Sequence, residues 1–143
     1  MSVKQISVFV ENTPGRLAHF ARLLGDNNIN VVSMTVADGP HFSIMRCIVA
    51  QYEQAMQLIA DNGYSVKLTD VLAIKVSDRP GGLALVAQLL CDAGINIEYL
   101  YSFVKGDGER ALFIFRVDKP EEAVQVLNAA GVELTSQEEL YAL

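Results

Sequence analysis

Asn12-Thr13-Pro14-Gly15-Arg16-Leu17-Ala18 returns as Asp78-Arg79-Pro80-Gly81-Gly82-Leu83-Ala84, at an offset of 66 residues. Further along, Ile29-Asn30-Val31 returns as Ile95-Asn96-Ile97 at the same offset. Between Ser7 and Val31, 25 positions align with the second stretch, and eleven are identical: Val10, Pro14, Gly15, Leu17, Ala18, Ala21, Leu23, Leu24, Asp26, Ile29 and Asn30. Ordinary residue frequencies give roughly one or two. Beyond that block the offset becomes 68, where Val49 matches Val117, Glu53 matches Glu121, Ala55 matches Ala123 and Gly63 matches Gly131. The second copy therefore carries two extra residues, which the alignment places around Lys105-Gly106-Asp107-Gly108. Asp107-Gly108 is a hairpin-turn dipeptide, and the first copy has Asp38-Gly39-Pro40 at the same place. Self-similarity at a fixed period marks a repeated structural unit.

Each unit reads as strand, helix, strand, strand, helix, strand. Val3–Glu11 is rich in Val, Ile and Phe and alternates loosely, as a strand does. Leu17, Phe20, Ala21 and Leu24 keep the spacing of one helix face. Residues 30–37 and 42–50 flank the first hairpin turn. Ala55, Met56 and Ile59 mark a second helix that ends at Gly63, and residues 64–68 form the closing strand. In the second copy Leu83, Val86, Ala87 and Leu90 mark one helix, and Ala123, Val124, Leu127 and Ala130 the other. Ser136-Gln137-Glu138-Glu139 has the layout of a capping box for a short final helix. The order βαββαβ is the ferredoxin-like split βαβ unit, an α+β fold with helices on one face of an antiparallel sheet. Two such domains in tandem are expected, 1–70 and 71–143. Leu68-Thr69-Asp70-Val71 runs from strand to strand almost without a linker, which predicts rigid packing. A unit of about 70 residues buries little surface by itself, so a homodimer is expected as well.

Composition narrows the function. The chain is 51% hydrophobic and 20% charged, a globular balance. Its formal charge is −6, the opposite of a nucleic-acid footprint and unsuited to an anionic membrane surface. The N-terminus lacks a signal-peptide layout, and no apolar run reaches the roughly 18 residues of a membrane span. A cytoplasmic protein without nucleic-acid or membrane partners is expected. Cys47 and Cys91 form neither CxxC nor a cysteine–histidine cluster. They read as small buried hydrophobes in a reducing compartment, with no metal site.

This architecture hosts many functions, so the site decides. Copper chaperones of this shape need CxxC in the first loop, where this chain has Glu11-Asn12-Thr13-Pro14-Gly15. RNA-recognition modules need a basic surface and stacking aromatics. Phe113 and Phe115 lie on a strand, but the rest of that pattern is missing. Acylphosphatase-like catalysis needs a phosphate-cradling loop with an arginine. One loop offers Arg16 and the other Arg79, and this stays a minor reading. The two loops resemble the [D/N]-x-P-G-x-L signature of ACT domains. Asn28-Ile29-Asn30-Val31 and Gly94-Ile95-Asn96-Ile97 resemble that family's G-I-N-I motif, with Asn28 in place of the usual Gly. The resemblance covers essentially the whole chain, twice and in the right order.

The loop itself offers some chemistry. Pro suits a first helical turn, while Gly beside it costs roughly 1 kcal/mol of helix propensity relative to Ala. Close approach of a backbone or ligand would justify that cost. The amides and the positive end of the helix suit a carboxylate. Asn12, Asp78, Asn30 and Asn96 can accept hydrogen bonds from an ammonium. The plainer alternative makes Pro-Gly a turn and Asn12 and Asp78 helix caps. The family resemblance implies a ligand site at domain interfaces, where one domain's loop faces a neighbour's post-helix Asn. Its residues would be Asn12, Thr13, Pro14, Gly15, Arg16, Leu17, Asn30 and Val31, with Asp78, Arg79, Pro80, Gly81, Gly82, Leu83, Asn96 and Ile97. Thr13 and Arg16 become Arg79 and Gly82, so the two sites are expected to differ, with Arg16 a carboxylate partner and Gly82 opening space.

Other polar residues carry less. His19 reads as a solvated surface histidine, and His41 has no assigned role. Ile97, Tyr99, Tyr101 and Phe103 alternate along a strand and read as packing rather than ligand lining. Glu138-Glu139 reads as a solvated helix face. There is no nucleophile–base set, P-loop or dinucleotide fingerprint. The expected function is a non-catalytic regulatory sensor that binds an amino acid or related small metabolite, without a cofactor, and acts on a partner enzyme. The alternative is a structural dimerisation module with no ligand.

Overall fold

A computed structural model describes residues 2–103 and 108–143. Its contacts divide the chain into two compact units, Lys4–Thr69, and Asp70–Leu143 together with Ser2 and Val3. The two extra residues of the second copy, placed by alignment at 105–108, fall largely outside the described residues. Only Gly108 of that turn is described, at φ 90°.

The first unit contains β1 (Val3–Glu11), α1 (Arg16–Asp26), β2 (Val31–Ala37), β3 (Phe42–Val49) and α2 (Tyr52–Asp61), and β4 (Ser65–Ser77) begins in it. β3 lies between β1 and β2, antiparallel to both. Val8 pairs with Met45 and Ile6 with Cys47, and these inward residues meet α1 and α2 in one core. Phe20, Leu24, Ala55 and Ile59 come from the helices.

The second unit repeats the plan. It contains the rest of β4, then α3 (Gly82–Asp92), β5 (Ile97–Ser102), β6 (Arg110–Val117), α4 (Pro120–Ala129), β7 (Leu134–Thr135) and α5 (Gln137–Ala142). β6 lies between β4 and β5, and β7 pairs with β4 at Ala73 and Ile74. Its core joins Leu72, Ile74, Val86, Leu90, Phe115, Ala123 and Leu127. Glu133, just before β7, takes hydrogen bonds from Lys75 of β4 at 2.8 Å and from Arg110 of β6. These bonds, Lys75's foremost, hold its carboxyl below the usual carboxylate range.

The repeat βαββαβ is thus the observed fold, with antiparallel sheets. The closing strand of the first copy does not stop at Leu68. It runs unbroken to Ser77 as a 13-residue strand. Ser136 caps α5 as the sequence predicts: its hydroxyl accepts from the Glu139 amide at 3.2 Å, and the Glu139 carboxylate accepts from the Ser136 amide.

Helix α1 buries less than its periodicity implies. Phe20 and Leu24 are buried, but Leu17 is 45% exposed and Ala21 is exposed too. In α3, Val86 and Leu90 are buried while Leu83 is 37% exposed. Both outward leucines sit in first turns, next to the Pro-Gly pairs.

Candidate functional site

Each Pro-Gly pair forms the centre of a tight turn that feeds a helix. The Arg16 amide donates to the Thr13 carbonyl at 3.4 Å, and the Gly82 amide to the Arg79 carbonyl at 3.0 Å. Gly15 has φ 88° and ψ −15°, and Gly81 has φ 87° and ψ −8°. These are type II turns, with Pro first and a left-handed Gly second. Proline fixes the first φ, and only a residue without Cβ takes the second easily.

Two expectations are thereby corrected. Pro14 and Pro80 precede the N-caps Gly15 and Gly81 and are not in the first helical turn. Close approach of another part of the chain does not explain Gly15 or Gly81 either, since a Cβ there meets nothing within 4 Å. Positive φ explains them. Gly82 is the closely approached one: a Cβ on it would stand 2.0 Å from the Ser77 carbonyl oxygen. Gly82 is buried and so does not open space in the second loop.

No side chain caps α1 or α3, so Asn12 and Asp78 are not helix caps. Asn12 instead ties its loop to the β2–β3 turn. Its side-chain amide donates to the Gly39 carbonyl at 2.9 Å, and its backbone amide to the His41 carbonyl at 2.9 Å. Asp78 repeats the backbone bond with Glu109 at 3.1 Å. With the caps absent, the first-turn amides of Leu17, Ala18, Leu83 and Ala84 are presented to an outside acceptor.

Asn30 and Asn96 stand at the far ends of α1 and α3. An eleven-residue helix is about 16 Å long, so neither copy brings its own loop and its own Asn together. The chain bends there through matching helix ends. Ile29 donates to Leu24 and Asn28 to Gly25, as Ile95 does to Leu90 and Gly94 to Cys91. This is the Schellman arrangement, whose turning residue is left-handed. Asn28 has φ 62° and Gly94 φ 72°, and Asn is the side chain that best tolerates the place of Gly. Asp118 holds the second corner: its carboxylate accepts from the Asn96 amide at 2.9 Å, and its own amide donates to the Asn96 carbonyl. Gly94, Asn96 and Ile97 line an open hollow of about 390 Å³ with Ala87, Cys91 and Ile95. Val31 and Ile97 are half-buried against their cores.

Only the first loop carries a polar cluster that the sequence reading missed. The Arg16 guanidinium lies 5.5 Å over the centre of the Tyr64 ring. His19 Nδ1 is 2.6 Å from the Tyr64 hydroxyl. His19 is thus exposed but hydrogen-bonded, not merely solvated. Tyr64 itself is buried and meets Phe20 edge-on. Arg16 Nε is buried and makes no hydrogen bond among the described residues. In the sequence, only the i, i+3 spacing of Arg16 and His19 could have placed these two side chains on one helix face.

Cys47 is buried, and burial pushes its thiol up to about 12. Cys91 is exposed, so the buried-hydrophobe reading holds for one cysteine only. Its position on the outer side of α3 was not fixed by composition. Among the described residues no helix is long and apolar enough to cross a membrane.

A family model for the ACT domain pair matches residues 1–143. This chain belongs to the ACT domain pair family. The solved structure of protein BT0572 from Bacteroides thetaiotaomicron is similar at 35% identity and TM-score 0.92, covering 100% of this chain and 98% of that one. The regulatory subunit of aspartate kinase from Thermus thermophilus, in a ligand-free form, has the same fold at 20% identity and TM-score 0.65, covering 89% and 91%. That of Thermus flavus is alike at 19% and 0.65, covering 90% of each chain. No curated protein matches the chain by sequence. The Pro-Gly turns and the post-helix corners of this ACT pair are each found twice, once in each copy of the fold.

Proposed function

We propose that this ACT pair is a non-catalytic regulatory sensor that binds an amino acid or related small metabolite at its Pro-Gly turns. The observation that supports it is the turn geometry in a member of this family: uncapped helix starts, each flanked by an outward leucine. Uncapped amides and the positive helix end favour a carboxylate. An exposed Leu17 or Leu83 gives a ligand or neighbouring domain an apolar contact. Regulatory subunits of aspartate kinase share the fold, and a regulatory role is carried over from them as part of this proposal.

Each copy separates its loop from its own post-helix Asn by a helix length. A complete site thus needs a neighbouring domain, and the proposal includes a homodimer. It further includes a cytoplasmic setting and a partner enzyme that senses the bound state. For ligand to change that partner, the two states must differ in affinity for it.

Thermal unfolding of the purified chain with each common amino acid and with common pathway end products tests the reading. A ligand at a hundred times its dissociation constant adds about 2.7 kcal/mol, a shift of several degrees for small domains. One or a few amino acids should raise the midpoint, and the rest should not. A flat response throughout would contradict sensing and favour a ligand-free dimerisation module.

A further inference from the structure

The two copies differ most where the turns are most alike. Arg16, His19 and Tyr64 converge in the first copy, through the ring contact at 5.5 Å and the hydrogen bond at 2.6 Å. The repeat places Gly82, Leu85 and Val132 at the same three positions of the second copy. All three polar groups are lost together. The arginine position also cannot be regained there, because the Ser77 carbonyl oxygen fills the space of a Cβ at Gly82. Leu85 is 58% exposed, so the second copy presents a hydrophobic side chain where the first presents His19.

Arg16 is the group with capacity left over. Its Nε is buried without a hydrogen bond, and no carboxylate pairs with the guanidinium among the described residues. A buried polar donor left unpaired is costly, and a guanidinium is the fork that matches a carboxylate in two parallel bonds. The Tyr64 ring seats the cation, and His19 holds the Tyr64 hydroxyl. A side chain already ordered loses less freedom on binding.

We propose that the copies have divided their roles: the first alone takes up the ligand, by its carboxylate on Arg16, and the second copy's turn is structural. Tyr64 and His19 act as positioning residues for Arg16. This rests on the sensing reading above and refines it.

Calorimetric titration of the full-length chain tests it, using as probe the amino acid that raises the unfolding midpoint most. The wild type should bind one probe molecule per chain. Arg16→Gln should weaken binding about ten- to a hundredfold, the range of a lost charge-assisted hydrogen bond. Arg22→Gln, an equal loss of charge on the exposed side of the same helix, should leave affinity within about twofold, as expected of a screened surface charge. Two equivalent sites per chain would overturn the division, as would Arg16→Gln binding like the wild type. If Arg16→Gln fails to fold by circular dichroism, the wild-type stoichiometry still tests the division, which two equivalent sites overturn. A screen with no hit refutes sensing itself, and this division with it. Binding that ignores Arg16 refutes the division only.

Discussion

Gly81 and Gly82 are neighbours with different reasons to be glycine. Gly81 needs a left-handed backbone, and a Cβ there would point into open space. Gly82 needs room, because its missing Cβ leaves space for the Ser77 carbonyl. Gly15→Ala should cost about 1–2 kcal/mol, the strain of a left-handed L-residue. Gly82→Ala should cost more, since the backbone of β4 must move. Denaturant midpoints of the two variants measure both, and equal losses would contradict the packing assigned to Gly82. The sequence showed that Pro-Gly mattered, because the pair recurs. It did not show why, since turn, cap and ligand cradle favour the same letters. Tyr64 was harder still: it lies 45 residues from His19 in the chain, and no local pattern links them.

Among the elements, strands and helices followed their periodicity closely. β1 occupies the stretch read as a strand, β2 and β3 lie within a residue of the stretches read for them, and β4 runs on past the closing strand expected at 64–68. Helix ends were legible because Gly63, Gly94 and Gly131 stand at left-handed turning positions. What periodicity cannot give is the width of the buried stripe. It fixes the angle of each side chain but not what lies opposite, so Leu17 and Ala21 fit the pattern yet face outward. The capping box of α5 is a sharper case, because both its hydrogen bonds depend on two letters three apart. Ser136→Ala should lower stability by about 1 kcal/mol, read as a lower unfolding midpoint, with Leu140 less well anchored. An unchanged midpoint would mean that α5 contributes little to the second unit.

For the whole molecule, duplication is the feature from which the rest follows. It was legible as an offset of 66 and then 68 residues, and it implied two similar units in tandem. The same duplication hides specialisation, because an alignment weights shared residues and passes over Arg16 against Gly82. The functional claim is that a Pro-Gly turn of this ACT pair holds a small amino-acid ligand. Amide nuclear magnetic resonance of the labelled chain, titrated with a mixture of the common amino acids, tests that most directly. The account predicts saturable shifts centred on residues 12–19, with Tyr64 responding. Shifts confined to other surfaces, or none at saturating concentrations, would contradict it.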